Sequence, residues 1–380
     1  MLYYSDYLKL DKILSAQQPR STFDLTLPSH DEMLFIIVHQ SYELWFKQIL
    51  HELSSVNDTL HRDNIDDNSE EMAQAIQRLG RVKRIVHLLI QHMDVLDTME
   101  PIDFLEFRGL LTPASGFQSK QFRQIEAMLG LQMESRHNKE HYKNTEVHKG
   151  GFKPEDHQEI TDVEKAPTIL DGLRSWLGRM PFLEDEYMSD YVGSMPKNLR
   201  KGDFEMDPVM LDYLFIYEGI QAEARDLKLS QLQGSEDGKN DIEKAYKAFH
   251  DAMDRFREVF MIKGSGPFAP KQMRAAMFIT AYRHMPMLSL PYQLITSLVE
   301  IDELFSSWRY RHFQMAMKMI GNKQGTGGSE GAGYLFGALM KNKVFHDLAV
   351  LPTYFIRRDQ LPILGSKLTA ALTFKQLEHA

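Results

Sequence analysis

Residues 34–53 read LFIIVHQSYELWFKQILHEL, and their spacing decides the fold class. Apolar side chains recur at 34, 38, 42, 45, 49 and 53, a three-or-four step that gathers them on one face of an α-helix instead of alternating across a strand. Upstream, Ser29-His30-Asp31-Glu32 has the form of a capping box, with a hydroxyl and a carboxylate to satisfy orphan N–H groups. The same period returns in Met72, Ile76, Leu79, Val82, Val86, Leu89, Met93 and Leu96, a helix beginning near Asn68. Pro101 suits the first turn of a short helix, IDFLEFRGLL, and FQSKQFRQIEAMLG reads as another that stops at Gly130. Helical patterns resume over 167–183, 206–229, 241–261, 271–284 and 291–320. With no convincing alternating strand and no internal repeat, the expectation is an all-α chain forming a single domain over 1–380. Residues 131–165, polar and rich in His, Lys and Glu, read as an exposed excursion, and QGSEDGKN at 233–240 as a surface loop.

Composition narrows the chemistry. The 380 residues carry a net charge of −9 with basic residues scattered, which argues against a nucleic-acid surface, since phosphate recognition needs concentrated Lys and Arg. There is no cysteine, so disulfides, zinc–thiolate and iron–sulfur sites and covalent haem attachment are excluded. Any metal must be held by His or carboxylate. The opening MLYYSDYLKLDKIL is too charged for a signal peptide, and no apolar run reaches membrane-spanning length, so a soluble, cytoplasmic protein is expected.

Few residues stand out as chemically unusual. His137-Asn-Lys-Glu-His141 matches a metal-ligand spacing, HxxEH, but its polar surroundings favour a solvated loop, as they do for His148 and His157. His39 lies inside the most apolar helix, one turn after Phe35 and one turn before Glu43; it is either a satisfied core histidine or part of a pocket. His312 poses the same choice beside Trp308, Met315 and Met319, flanked by arginines 309 and 311. Two lone histidines in separate apolar helices suit the two sides of a non-covalent haem, although methionines at this spacing also fill ordinary cores. Arg108 follows Phe104 and Phe107 and precedes the turn LTPASG; it fits either a carboxylate clamp or a salt bridge to Asp103 or Glu106. In 321–333, glycine is six of thirteen residues. This stretch lacks GK[ST], spaces its glycines wrongly for GxGxxG and follows a helix, so it is no phosphate loop; it is a backbone able to approach a ligand closely, carrying Thr326 and Ser329, or a mobile linker.

Three segments, HDEMLFIIVHQSYELWFKQ, FLEFRGLLTPASGFQSKQFR and WRYRHFQMAMKMIGNKQGTGGSEGAGYL, together with the N-terminal YSDYLKLDKIL, resemble the tryptophan 2,3-dioxygenase family in order from Tyr4 to about Tyr354. The resemblance implies an all-α, haem-binding helical bundle of the tryptophan/indoleamine dioxygenase type, assembled as a homotetramer, a dimer of dimers, with residues 1–22 exchanged between subunits. It implies oxidative cleavage of the indole C2–C3 bond of L-tryptophan by O2 to N-formyl-L-kynurenine, the first step of the kynurenine pathway, with haem b, ferrous in the active state. By residue, it makes His312 the proximal iron ligand, with its second ring nitrogen tied to an acceptor, and His39 the distal catalytic residue facing the indole N–H. Arg108 becomes the carboxylate clamp and Thr326 the hydroxyl at the amino-acid end. Phe35, Phe104, Phe107 and Ser115 become pocket positions, and Tyr4 and Tyr7 reach into a neighbouring subunit's site. Residues 321–333 become a substrate loop. The sequence departs from the family at Phe104, which is Tyr in some members, at Met93, which is Trp in some bacterial ones, and in the length of 131–165. A related haem-dependent aromatic hydroxylase and a non-catalytic haem sensor are the competing readings, and retention of Arg108, Thr326 and the GTGGS stretch favours the amino-acid substrate.

Overall fold

The computed structural model describes residues 1–24, 27–62, 69–193, 206–232, 238–262, 266–328 and 331–373. Asn68, Ser329 and positions 233–237 of the expected surface loop lie outside them; Gly238 already opens a helix. Among the described residues there is helix and no strand, as the periodicity requires. The chain divides into two compact units, one of residues 1–62, 77–171 and 300–344, the other of 63–76, 172–299 and 345–380.

In the first unit, helix Asp31–Leu60 buries Val38, Tyr42, Phe46, Ile49, Leu53 and Val56. The stripe passes through Phe46 instead of Trp45, which is 37% exposed, because Phe46 packs against Phe122 with ring centroids 5.3 Å apart. The capping box does not form. His30 occupies the cap position without a side-chain bond, and the buried Glu32 carboxylate accepts from the Arg20 and Ser21 N–H groups, both at 2.8 Å. The chain entering the helix thus takes the carboxylate that a local box would have used. Helix Glu70–Leu96 belongs to this unit from Gln77 onward, where it buries Leu79, Val82, Val86, Leu89, Met93 and Leu96; its start, with Met72 buried and its N–H capped by the Ser69 hydroxyl, belongs to the other unit. Helix Pro101–Arg108 has proline in its first turn, and helix Lys120–Leu129 starts on the Ser119 hydroxyl and ends at Gly130, whose φ of 122° favours glycine.

Residues 131–165 are exposed over much of their length, but they also pack into this unit. They contain helices Lys139–Tyr142 and Pro154–Lys165, and Arg136, Tyr142, Phe152 and Ile160 are all buried. Their polar residues satisfy one another and the neighbouring helix: Arg136 pairs with Glu126 at 2.5 Å and with Glu164 at 3.1 Å. Most charged side chains of the segment, Glu134, Glu140, His148 and Lys149 among them, are solvated, and the Arg136 cluster is the part that polarity alone conceals.

In the second unit, helices Pro208–Gln231 and Gly238–Phe260 pack through Tyr217 and Phe256, with centroids 4.9 Å apart. Helix Pro270–Ala281 buries Met273, Ala276, Met277 and Phe278. The Tyr213 hydroxyl donates to the Tyr354 carbonyl and accepts from Ile356 N–H, fixing the 354–356 segment to this core.

Candidate functional site

A cavity of about 300 Å³ opens inside the first unit. Its walls come from Phe35, His39, Tyr42, Glu43 and Phe46 of one helix, from Met93 and Leu96, from Phe104 and Arg108, and from the segment between Ser115 and Glu126. Trp308, His312, Met315, Ala316 and Met319 face it from helix Ser289–Ile320, and Tyr334, Leu335 and Ala338 from helix Ala332–Lys341. Periodicity explains this convergence, because the helices turn their apolar stripes inward and the odd residues on those stripes meet in the middle.

His39 lines the cavity. Its Nδ1 lies 2.7 Å from the Phe35 carbonyl, which can only accept, so Nδ1 carries the proton and Nε2 is left as an acceptor. Loss of hydration lowers its pKa, against the opposing pull of the Phe35 carbonyl and the Glu43 carboxylate. Burial likewise lowers His312 to about 4, aided by His39 and Arg123, so this imidazole is neutral at physiological pH. Its Nδ1 is buried with no hydrogen-bond partner among the described residues, where the resemblance implies an acceptor. The Trp308 ring lies 5.4 Å away, centroid to centroid.

Arg108 forms no carboxylate pair among the described residues; its Nη2 donates to the Gln324 carbonyl of the glycine-rich segment. Thr326 Oγ1 donates to the Ala114 carbonyl at 2.7 Å, so Arg108, Ser115 and Thr326 share one corner of the cavity. Phe35 stacks on Phe104 at 5.8 Å. Phe107 packs edge-on against both at 5.6 and 5.5 Å but is fully buried behind them, so it shapes the cavity without lining it. Tyr4 and Tyr7, 72% and 67% exposed, do not line this chain's cavity.

Of the HxxEH residues, Glu140 is exposed, whereas the two histidines are half-buried against other side chains. No group of three or more metal-ligating side chains occurs among the described residues. His141 packs on Phe117 at 4.1 Å, where burial and then Arg123 lower its pKa, and His137 packs on Gly337 and Tyr334. His148, beside Glu146, is exposed as expected.

One charged wall was not singled out from the sequence. Glu126 accepts from Arg309 at 2.8 Å, Arg136 at 2.5 Å and Arg123 at 3.1 Å; burial alone would raise its pKa, yet the three guanidiniums bring it down to about 2. Arg123 also donates to the Tyr142 hydroxyl at 2.7 Å, and that hydroxyl bonds Tyr334. The available signal was the Arg123/Glu126 pair, three residues apart on a helical stripe otherwise filled by Phe122, Ile125 and Leu129. Arg311, by contrast, turns away to Asp94 and Asp97.

These residues fit a haem. A bare ion finds too few donors, whereas a metal arriving inside a macrocycle needs only one neutral imidazole, an apolar slot and cationic groups for its acid substituents. His312, the Met-rich wall and Arg123, whose Nε is buried without a partner among the described residues, are those three things. Fold and site together define an all-α protein with an aromatic-lined cavity flanked by neutral imidazoles and a guanidinium.

Within that class the particular family follows from comparison with known proteins. The profile of the family described as tryptophan 2,3-dioxygenase matches residues 1–355, and the chain belongs to that family. It is 38% identical over 379 residues to a tryptophan 2,3-dioxygenase of Bdellovibrio bacteriovorus, covering 98% of each chain. It is 37% identical to one from Xenopus laevis, over 96% of this chain and 84% of the relative, and 35% identical to one from Alteromonas mediterranea, over 98% and 97%.

Proposed function

We propose that this chain is a haem-dependent oxidoreductase that cleaves the indole C2–C3 bond of L-tryptophan with both atoms of O2, giving N-formyl-L-kynurenine. The observation that carries the reading is the neutral His312 in an apolar cavity shared with His39, Arg108 and Thr326. Haem b, bound through His312 and reduced to the ferrous state, supplies the activation of dioxygen.

The chain's own residues do the rest. Phe35 and Phe104 offer a flat apolar slot for an indole, and the unprotonated Nε2 of His39 accepts the indole N–H. Arg108 exchanges the Gln324 carbonyl for the substrate carboxylate, a charge-assisted bond in place of a neutral one. Thr326 exchanges the Ala114 carbonyl for the amino-acid end. With both ends held, the reacting carbons keep one position, and that proximity lowers the barrier. Arg123, on the cavity wall, holds an acid group of the cofactor. The same proposal includes a cytoplasmic homotetramer, a dimer of dimers, in which Tyr4 and Tyr7 enter a neighbour's site; their exposure on an N-terminal segment with Met1, Leu2 and Tyr3 also exposed supports it. Among the described residues no helix is long and apolar enough to cross a membrane.

The test is to supply reduced, haem-loaded protein with L-tryptophan and isotopically labelled O2. N-Formylkynurenine carrying label in both new oxygens is expected; a singly oxygenated product, or none, overturns the reading.

A further inference from the structure

The glycine-rich segment does not cross open space beside the cavity. Gly327 is buried, and a Cβ there would lie 2.6 Å from Ser115 Cβ and 3.1 Å from its Oγ. Gly150, from the polar 131–165 region, touches the same residue: a Cβ on it would stand 2.6 Å from the Gly327 carbonyl carbon and 2.7 Å from its Cα. Contacts this close are not made by real Cβ atoms, so neither glycine has room for a side chain. Gly150 also has a φ of 79°, in the left-handed region.

The parts that touch Gly327 are tied to one another. Gln118 Oε1 accepts from Ser115 N–H at 3.1 Å while its Nε2 donates to the Gly151 carbonyl at 2.9 Å, so one amide joins the Ser115 wall to the 150–151 turn. The turn is closed by Gly150 N–H to Val147 O at 3.0 Å, Gly151 N–H to Glu146 O at 3.1 Å and Phe152 N–H to Asn144 O at 2.9 Å, and the Phe152 ring anchors it in the core. On the loop side, Thr326 is the residue before Gly327, and its hydroxyl is already fixed on Ala114.

We infer that residues 144–152 belong to the substrate-binding machinery: with Ser115 and Gln118 they form a seat for the Gly327 backbone, and the seat sets where Thr326 presents its hydroxyl. Gly150 and Gln118 are positioning residues, acting through the loop. The inference rests on the reading of the cavity as the tryptophan site. It gives a role to a region whose composition suggests only a decoration, and it makes the height of the Gly150 turn a determinant of affinity for the amino-acid end.

Gly150→Asn in the haem-loaded enzyme tests this. Asparagine tolerates left-handed φ, so the main change is a Cβ pressed onto Gly327. The KM for L-tryptophan should rise about 10-fold or more while kcat stays within about 2-fold, the signature of lost substrate positioning without damage to the reacting centre. The Soret band should be unchanged, and amide exchange in peptides spanning residues 324–328, measured without substrate, should quicken. If Gly150→Asn does not fold, Gln118→Glu replaces it: this removes the donor to Gly151, keeps an oxygen for Ser115 N–H, and should move both readouts the same way. Exchange and KM at wild-type values overturn the seat, and faster exchange with an unchanged KM overturns its positioning role. Faster exchange in a protein whose wild type makes no N-formylkynurenine upholds the seat and removes the substrate reading instead.

Discussion

Replacing Glu126 by Gln should cost this protein several kcal/mol, and the structure says why. The carboxylate sits among Arg123, Arg136 and Arg309, all buried, and Glu164, the other carboxylate of the cluster, pairs with Arg136. Glutamine keeps the shape and one acceptor oxygen but leaves the guanidiniums with too little negative charge, and breaking a buried pair from one side costs about 3–5 kcal/mol. A second route gives a similar figure: lowering a carboxyl from 4.5 to about 2 corresponds to roughly 3 kcal/mol of folded-state preference for the ionised form. Since the folded pKa is depressed, this stability is fully present above the unfolded value of 4.5 and is lost as pH falls towards about 2. At neutral pH the variant should therefore melt roughly 4–6 °C below wild type, taking about 1.3 °C per kcal/mol from the unfolding entropy of a chain this long. Between pH 4.5 and about 2 the gap between the two proteins should narrow, because wild type loses what the variant never had. Calorimetry across that range is the assay. A variant that melts within about 2 °C of wild type at pH 7 would refute the reasoning, since the cluster would then tolerate uncompensated charge.

Other perturbations separate the parts of the site. Arg108→Ala should raise the KM for L-tryptophan about 30- to 150-fold, the loss of roughly 2–3 kcal/mol of charge-assisted bonding, with haem content unchanged in the absorption spectrum. His312→Ala should fold, with a melting temperature near that of wild-type apoprotein, yet fail to develop a Soret band when titrated with hemin; a wild-type band would remove its assignment as the iron ligand. Phe107→Ala should destabilise by about 3–5 kcal/mol in denaturant titration, because a fully buried ring is deleted, and should affect KM less than Phe35→Ala does.

What the sequence made legible depended on whether the deciding interaction was local. The helices from Asp31 to Leu129 are written in a period that any window of the chain displays, and so is the oddness of His39 and His312 on apolar stripes. The capping box failed because Glu32 is claimed by Arg20 and Ser21, partners that no local rule supplies. The 131–165 region misled for a related reason: polarity per residue cannot show that Arg136 is neutralised by Glu126 and Glu164 from two other elements. Nothing local to Arg123 or Arg309 shows that the fold brings both to one carboxylate. The roles given to individual site residues came from the family resemblance, whereas the tautomer of His39 and the partners of Arg108 and Thr326 required coordinates.

Those partners bear on selectivity. Arg108 and Thr326 each donate to a backbone carbonyl, at Gln324 and Ala114, so a ligand must outcompete bonds that already exist. A neutral indole without its amino-acid end would gain apolar contact with Phe35 and Phe104 and a bond to His39, but has no group to offer Arg108 or Thr326 in exchange. A carboxylate does, because an ionised acceptor bonds a guanidinium roughly twice as strongly as a neutral carbonyl does. The exchange would also release Gln324, the residue two before Thr326, so recognition of the carboxylate and movement of the hydroxyl are mechanically linked. A glycine-rich segment directly after the helix that carries His312 is suited to this, since the backbone that must give way begins a few residues from the group that the cofactor requires.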